Sequence, residues 1–418
     1  MIIMSDSPIQ IPYINLSAQW QEERSELLPI IDKVLGSGQH VGGDEVDKFE
    51  NSVAGLCHVK YAIALNSGTD ALTMAMHLLG IGHGYEVITP PNSFIASTAV
   101  VMHLGAKPVF VDVLPNQNID PTKIEAAISE KTKAIMPVHL NGRVCDMDPI
   151  MEIAEKHGLK VIEDVSHAQG GLYKGRLLGT IGHIGAMSIM SGKSLACGEG
   201  GFLVTDDKDL YERAAAFGHY SRTQSIEHPE LSPFAGMPLG GYKYRMHQLS
   251  SAVGRTQIKR YNERMQEIQR AMNHFWDLLE GVPGIVPHRT PADGDSTMGG
   301  WYAAKGIYAP EQLGGLPVAR FCEAVTAEAG SFRIMPGANP LMHMHPVLND
   351  ADIYGHGKPT RIAHSDRDLR QREGSLPVTE SMPERIYSIP WFKHYDEKII
   401  AQYATAFRKV AENAEELL

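Results

Sequence analysis

The sequence predicts an α/β fold: a large, doubly wound, mainly parallel sheet domain followed by a smaller C-terminal α/β domain. Three observations carry the prediction. Between residues 61 and 164, apolar runs of strand length alternate with stretches of helical spacing, the pattern of parallel strands joined by helices. A long amphipathic stretch over residues 249–279 then reads as a helical bridge. The Pro/Gly-rich residues 281–300 end the first domain, and residues 301–308, 318–329 and 397–418 supply a second, smaller set of elements. The expected division is an N-terminal arm and helix over 1–35, a large domain over 36–280 and a small domain over 281–418.

Composition narrows the function. The 418 residues, 43% hydrophobic and 21% charged, suit a globular protein with a sizeable core. A formal net charge of -11 argues against a general binder of nucleic acid or anionic membranes. No apolar run approaches membrane-spanning length, and Met1-Ile2-Ile3-Met4 lacks the basic start of a signal peptide. Cys57, Cys145, Cys197 and Cys322 show no metal-ligand spacing, which fits reduced thiols in a cytoplasmic protein.

In chain order, Ile9-Gln10-Ile11-Pro12-Tyr13 reads as an arm and residues 22–35 as an opening helix, with Gly36, Gly38, Gly42 and Gly43 in loops. Tyr61-Ala62-Ile63-Ala64-Leu65 has strand length, and residues 71–80 form a helix stopped by Gly80. The Ser67-Gly68-Thr69 turn between them points free backbone amides at an anion; an ordinary capped helix leaves the same pattern. Strands over 86–90, 108–113 and 134–139 alternate with helices over 95–104, 123–129 and 148–157, with Pro149 in the first turn of the last. Lys160-Val161-Ile162-Glu163-Asp164 is a strand ending in a carboxylate, at the edge where a parallel sheet presents ligand-binding groups. A turn cap is the alternative role for Asp164. Phe202-Leu203-Val204-Thr205 is a further buried strand.

The candidate chemistry lies just before that strand. Lys193 sits among small residues and is followed by the Gly198-Glu199-Gly200-Gly201 turn. An unpaired ammonium between buried elements is costly unless it is neutralised, as it would be in an imine with an aldehyde. Gly192-Lys193-Ser194 also looks like the end of a nucleotide-binding P-loop, which needs a glycine at position 187. That position is Met187, and Gly185 lies two residues too far upstream.

Ser67-Gly68-Thr69-Asp70-Ala71-Leu72, Glu163-Asp164-Val165-Ser166-His167, Ser188 with Lys193, and Gly198-Glu199-Gly200-Gly201 occur in the order found in the DegT/DnrJ/EryC1/StrS family. The sequence resembles that family from about residue 11 to the C-terminus, most densely over 61–254. The resemblance implies the type I fold of aspartate aminotransferase. It also implies pyridoxal 5'-phosphate (PLP) as cofactor, with pyridoxamine 5'-phosphate as its intermediate form. Lys193 would hold the cofactor as an imine and then shuttle a proton, while Asp164 pairs with the pyridine nitrogen. Ser67, Gly68, Thr69 and Ser188 would receive the phosphate, and Phe94 would stack on the ring. His167 stands where many relatives carry glutamine.

Gly241-Tyr242-Lys243-Tyr244-Arg245-Met246 resembles the family's Gly-x-Asn-Tyr-Arg-Met, which reaches the cofactor phosphate of the neighbouring subunit. Lys243 replaces the frequent asparagine, and the likeness implies a homodimer with shared active sites. Tyr220, Arg245, His343 and His345 are candidate substrate contacts; as a metal pair the two histidines lack a third ligand, and no metal is expected. The implied reaction carries an amino group from glutamate or glutamine to a keto sugar, sugar nucleotide or inosose-type cyclitol. Lys243, residues 376–380 and residues 390–392 lean toward the cyclitol branch. Relatives with histidine at the lysine position act as dehydratases, an alternative that Lys193 argues against. A non-catalytic PLP-binding regulator is the other alternative, and no appended DNA-binding segment supports it.

Overall fold

The computed structural model describes residues 16–219, 222–237, 239–291, 294–330 and 333–418. The expected arm at residues 9–13 lies outside them. Helices α1 (Leu16–Ser37) and α2 (Asp44–Cys57) precede β1 (Tyr61–Leu65), α3 (Gly68–Leu78), β2 (Glu86–Thr89), α4 (Ile95–His103) and β3 (Lys107–Phe110). A one-turn α5 (Pro121–Ile124) leads to β4 (Thr132–Ile135), α6 (Met147–His157) and β5 (Lys160–Asp164). The small hairpin of β6 (Leu172–Tyr173) and β7 (Arg176–Leu177) is followed by β8 (Ile184–Ser188), β9 (Gly201–Thr205) and α7 (Lys208–Gly218). Next come α8 (Gln248–Lys259), α9 (Tyr261–Leu278), β10 (Ile285–Val286), β11 (Lys305–Tyr308) and α10 (Val318–Ala329). A short α11 (Pro346–Asn349), α12 (Pro377–Arg385), β12 (Ile386–Ser388) and α13 (Glu397–Glu412) complete the chain.

The seven-stranded sheet has the order β1-β9-β8-β5-β4-β2-β3. Its strands alternate between two buried faces. Ala62, Ala64, Val161, Phe202 and Val204 enter one apolar cluster, while Ile63, Leu65, Ile162 and Leu203 enter the other. Burial on both faces is what parallel strands covered by helices require. Neighbouring pairs from β3 to β8 run parallel, whereas β9 is antiparallel to both β1 and β8. That one reversal decides where the chemistry sits. Ser188 at the end of β8 and Leu65 at the end of β1 both pair with Gly201, the first residue of β9. The loop from β8 to β9, which carries Lys193, therefore leaves and re-enters the sheet at its carboxyl edge. Ligands bind at that edge in open α/β sheets.

A second, antiparallel sheet of order β10-β11-β12 lies in the C-terminal part. Around it Tyr308, Phe321, Tyr387 and Phe407 meet ring to ring. The apolar core is continuous across residue 281: one cluster runs from Val46 through Phe275 and Trp301 to Phe407. The bridge expected over 249–279 is two helices, broken at Arg260 (φ -107°, ψ 6°). The break lets α8 pack on α1 and α2 while α9 packs on α13, and Arg260 itself pairs with Glu26. Strand β8 had no clear sequence signal, since Ile-Gly-Ala-Met-Ser shows neither alternation nor β-branched enrichment.

Candidate active site

Helix α3 begins at the carboxyl end of β1. Ser67 caps it, its hydroxyl accepting the Asp70 N–H at 3.0 Å. The N–H groups of Gly68 and Thr69 find no acceptor among the described residues and face a cavity of about 370 Å³ that both line. The approach is too close for ordinary side chains. A Cβ on Gly68 would stand 2.5 Å from the Ser188 Cβ, and one on Gly201 would stand 2.3 Å from the Ser67 carbonyl. Glycine at both positions brings the helix N-terminus against the ends of β8 and β9.

Lys193 lines the same cavity and is only 6% exposed. Its Nζ lies 3.8 Å from the centre of the Tyr302 ring. Burial pushes its pKa from 10.5 to about 7, and the charge of Asp164 opposes that fall without cancelling it. Gln169 ties the lysine loop to the sheet. Its Oε1 accepts from Ser194 Oγ and the Leu195 N–H, each at 2.8 Å, and its Nε2 donates to the Ser188 carbonyl at 2.5 Å.

Asp164, 4% exposed, projects from the end of β5. Ser97 Oγ donates to its Oδ2 at 2.8 Å, and the Ser166 N–H donates to its Oδ1 at 3.1 Å. Its neighbour Glu163 faces away, accepting the N–H groups of Gly179, Ile181 and Gly182 and the Nε2 of His139. His167 packs edge-on against Tyr302, with 5.0 Å between ring centres, and its Nδ1 has no partner. Burial, then the charges of Lys193 and Lys305, push its pKa well below the usual value, so the ring is neutral. Phe94, 63% exposed, also lines the cavity.

The cavity thus gathers Ser67, Gly68, Thr69, Phe94, Asp164, His167, Ser188 and Lys193. Lys243 and Arg245 do not join them. They run along the β1 edge, where Lys243 is exposed, its carbonyl accepts Asn66 Nδ2, and Arg245 bridges to Leu65. His343 and His345 do not line this chain's cavity either. His343 is fully buried with its Nε2 3.2 Å from Glu380, and the Nδ1 of His345 caps α11 by accepting the Val347 N–H. Tyr220 lies outside the described residues.

Sequence reasoning missed Ser97, Gln169, Tyr302 and Lys305, all brought in by tertiary structure. Only Ser97 had a local signal, since it follows Phe94 in the first turn of α4. The arrangement offers an amine that loses its charge around neutrality, a buried carboxylate, and a helix N-terminus with free amides. Those groups suit a phosphorylated aldehyde whose ring carries a basic nitrogen. Among the described residues no group of His, Cys, Asp or Glu could hold a metal ion, and no helix is long and apolar enough to cross a membrane.

Comparison with known proteins agrees with this chemistry. The chain is 31% identical to the dTDP-3-amino-3,4,6-trideoxy-alpha-D-glucose transaminase of Streptomyces venezuelae, covering 97% of this chain and 98% of that one. It is 32% identical to the L-glutamine:scyllo-inosose aminotransferase of Streptomyces griseus, covering 96% and 95%. The crystal structure of S. venezuelae DesV superposes with a TM-score of 0.80 at 30% identity, over 97% of this chain and 100% of that one. Residues 21–408 match the family as a whole, and the chain belongs to the DegT/DnrJ/EryC1/StrS aminotransferase family.

Proposed function

We propose that this chain is a PLP-dependent aminotransferase that moves an amino group from glutamate or glutamine onto a polyhydroxylated cyclic ketone, a keto sugar or an inosose-type cyclitol. One observation carries the reading: the buried Lys193 amine, with its pKa brought down to about 7, shares a cavity with Asp164 and the free amides of α3. The residues present fit the cofactor. The unused Gly68 and Thr69 N–H groups, with the Ser67 and Ser188 hydroxyls, suit its phosphate at a helix N-terminus. The unpartnered Nδ1 of His167 is a buried polar atom that a ring oxygen would satisfy.

Bound there, PLP supplies an aldehyde that takes up the amino group and a ring that accepts the electron pair released at the substrate carbon. Lys193 acts as the nucleophile in its neutral form, and its Nζ then moves a proton off the amine-bearing carbon. Asp164, held by Ser97 Oγ and the Ser166 N–H, keeps a proton on the pyridine nitrogen. Tyr302, against the Lys193 Nζ, excludes water from the amine.

We further place Lys243 in the active site of a second copy of the chain, since it is exposed and outside its own cavity. The four cysteines, all buried and free, support a reducing, cytoplasmic setting. Relatives named for a deoxyamino sugar and for scyllo-inosose support the ketone class. The test is spectroscopic. The visible absorbance of the purified holoenzyme should bleach on adding glutamate or glutamine and return on adding a cyclic ketone. A spectrum that neither donor changes would refute the proposal.

A further inference from the structure

A second lysine lines the cavity and has no role in the chemistry above. Lys305 opens strand β11, where it pairs in register with Ser388, and it lies in the small sheet rather than on the edge that carries Lys193. Its Nζ rests against Gly337, where an added Cβ would stand 2.8 Å away. No carboxylate or other acceptor reaches it among the described residues, whereas the buried Lys107 is paired with Asp366 at 3.0 Å. Burial lowers its pKa to about 8, and its charge is felt at His167, which lines the same cavity. A half-buried ammonium without a counter-charge is costly. The group that completes it must come from whatever enters the cavity.

We infer that Lys305 binds the α-carboxylate of the amino donor and so selects amino acids over other amines. The inference rests on the aminotransferase reading of the same site. The two substrates of a transamination differ in charge: the cyclic ketone presents hydroxyls, whereas the donor carries a carboxylate on the very carbon whose proton moves. A partner for that carboxylate has to lie in the cavity that holds Lys193. Besides Lys193, Lys305 is the only cationic side chain lining the cavity among the described residues. Phosphate on a nucleotide-bearing acceptor is the other anion to consider. It fits less well, because a cavity of about 370 Å³ is near the small end for ligand pockets, and a nucleotide beyond a sugar ring would extend outside it.

The experiment separates the two half-reactions in the holoenzyme. Lys305→Met keeps the length and removes the charge. It should raise the half-saturating concentration of L-glutamate or L-glutamine by about ten- to a hundredfold, the loss of one charge-assisted contact. The concentration dependence on the ketone should stay within about twofold. L-Glutamic acid α-amide, which lacks the carboxylate, should be a poor donor for the native enzyme and be used equally by the variant. Lys305→Arg should restore much of the discrimination. A readout independent of turnover is protection: glutarate, an unreactive dicarboxylate, should slow trace acetylation of Lys305 in the native holoenzyme. Native enzyme that reacts with donors, combined with an unchanged donor dependence in Lys305→Met or an absence of protection by glutarate, would overturn the inference and leave the function standing. Equal weakening of donor and ketone would overturn it as well, pointing to a general packing role or to acceptor phosphate. If the native enzyme ignores every donor, the aminotransferase reading falls and takes this inference with it.

Discussion

The free amine of Lys193 should titrate near neutrality in the cofactor-free protein. Its pKa falls from 10.5 to about 7, which corresponds to roughly 5 kcal/mol of net penalty on the charged form. Desolvation is the larger influence and the Asp164 carboxylate the smaller, opposing one. At pH 8 about nine-tenths of Lys193 would be neutral, against roughly 0.3% of an ordinary lysine, so its amine should be on the order of 300 times more available as a nucleophile. The assay is competitive labelling with trace acetic anhydride across pH, read peptide by peptide, alongside the rate of PLP uptake. Both should show an inflection near pH 7. The perturbation is Asp164→Asn: removing the carboxylate removes the influence that favours the ammonium, so the inflection should move lower. The stability consequence has a definite sign. Between about pH 7 and 10.5 the unfolded chain binds the proton that the native lysine has released, so the stability of the cofactor-free protein should rise with pH through that window. A labelling midpoint at pH 9 or above, or one that rises in Asp164→Asn, would refute the reasoning.

In the holoenzyme, Asp164→Asn keeps volume but cannot hold a protonated pyridine nitrogen, and turnover should fall on the order of hundreds-fold; near-normal turnover would reduce Asp164 to a turn cap. Mixing Lys193→Ala with Lys243→Glu after dissociation and reassociation should restore activity if each site takes Lys243 from the other copy, and confirmed heterodimers without activity would place both lysines in one site. Gly201→Ala sets a methyl 2.3 Å from the Ser67 carbonyl and should weaken PLP retention, measured by dialysis, more than it slows the turnover of protein that keeps the cofactor. Asp366→Asn strips the buried Lys107 of its ion-pair partner, and should lower the thermal midpoint while leaving the Lys193 titration unchanged.

Local patterning was enough to read β1, β2, β5, α3, α4 and α6 to within a few residues, because each carries its own periodicity and stop signal. The helix expected over 123–129, by contrast, is the single turn Pro121–Ile124 followed by a 3-10 turn, and the strands expected over 108–113 and 134–139 end at Phe110 and Ile135. The extents of β1, β5 and α10 follow directly from Tyr61-Ala62-Ile63-Ala64-Leu65, from the run ending in Asp164, and from the amphipathic residues 318–329. The grouping of Ser67, Gly68, Thr69, Asp164, Ser188 and Lys193 into one site was legible only through the order of their motifs, since they are spread over more than a hundred residues. Other features had no local trace. The reversal of β9 depends on pairing with β1 and β8, and it alone puts the Lys193 loop at the carboxyl edge of the sheet. The break at Arg260 reflects the packing of α8 and α9 on different partners, against a propensity that would continue the helix. The contact of His343 Nε2 with Glu380 and the capping of α11 by His345 Nδ1 likewise had no trace in the sequence around them. Composition and order therefore determined the class of chemistry, because each motif is a short, local solution to binding one chemical group. Charge, burial and the missing partner of Lys305 were decided by tertiary structure alone, because desolvation depends on what packs around a side chain and not on its neighbours in the chain.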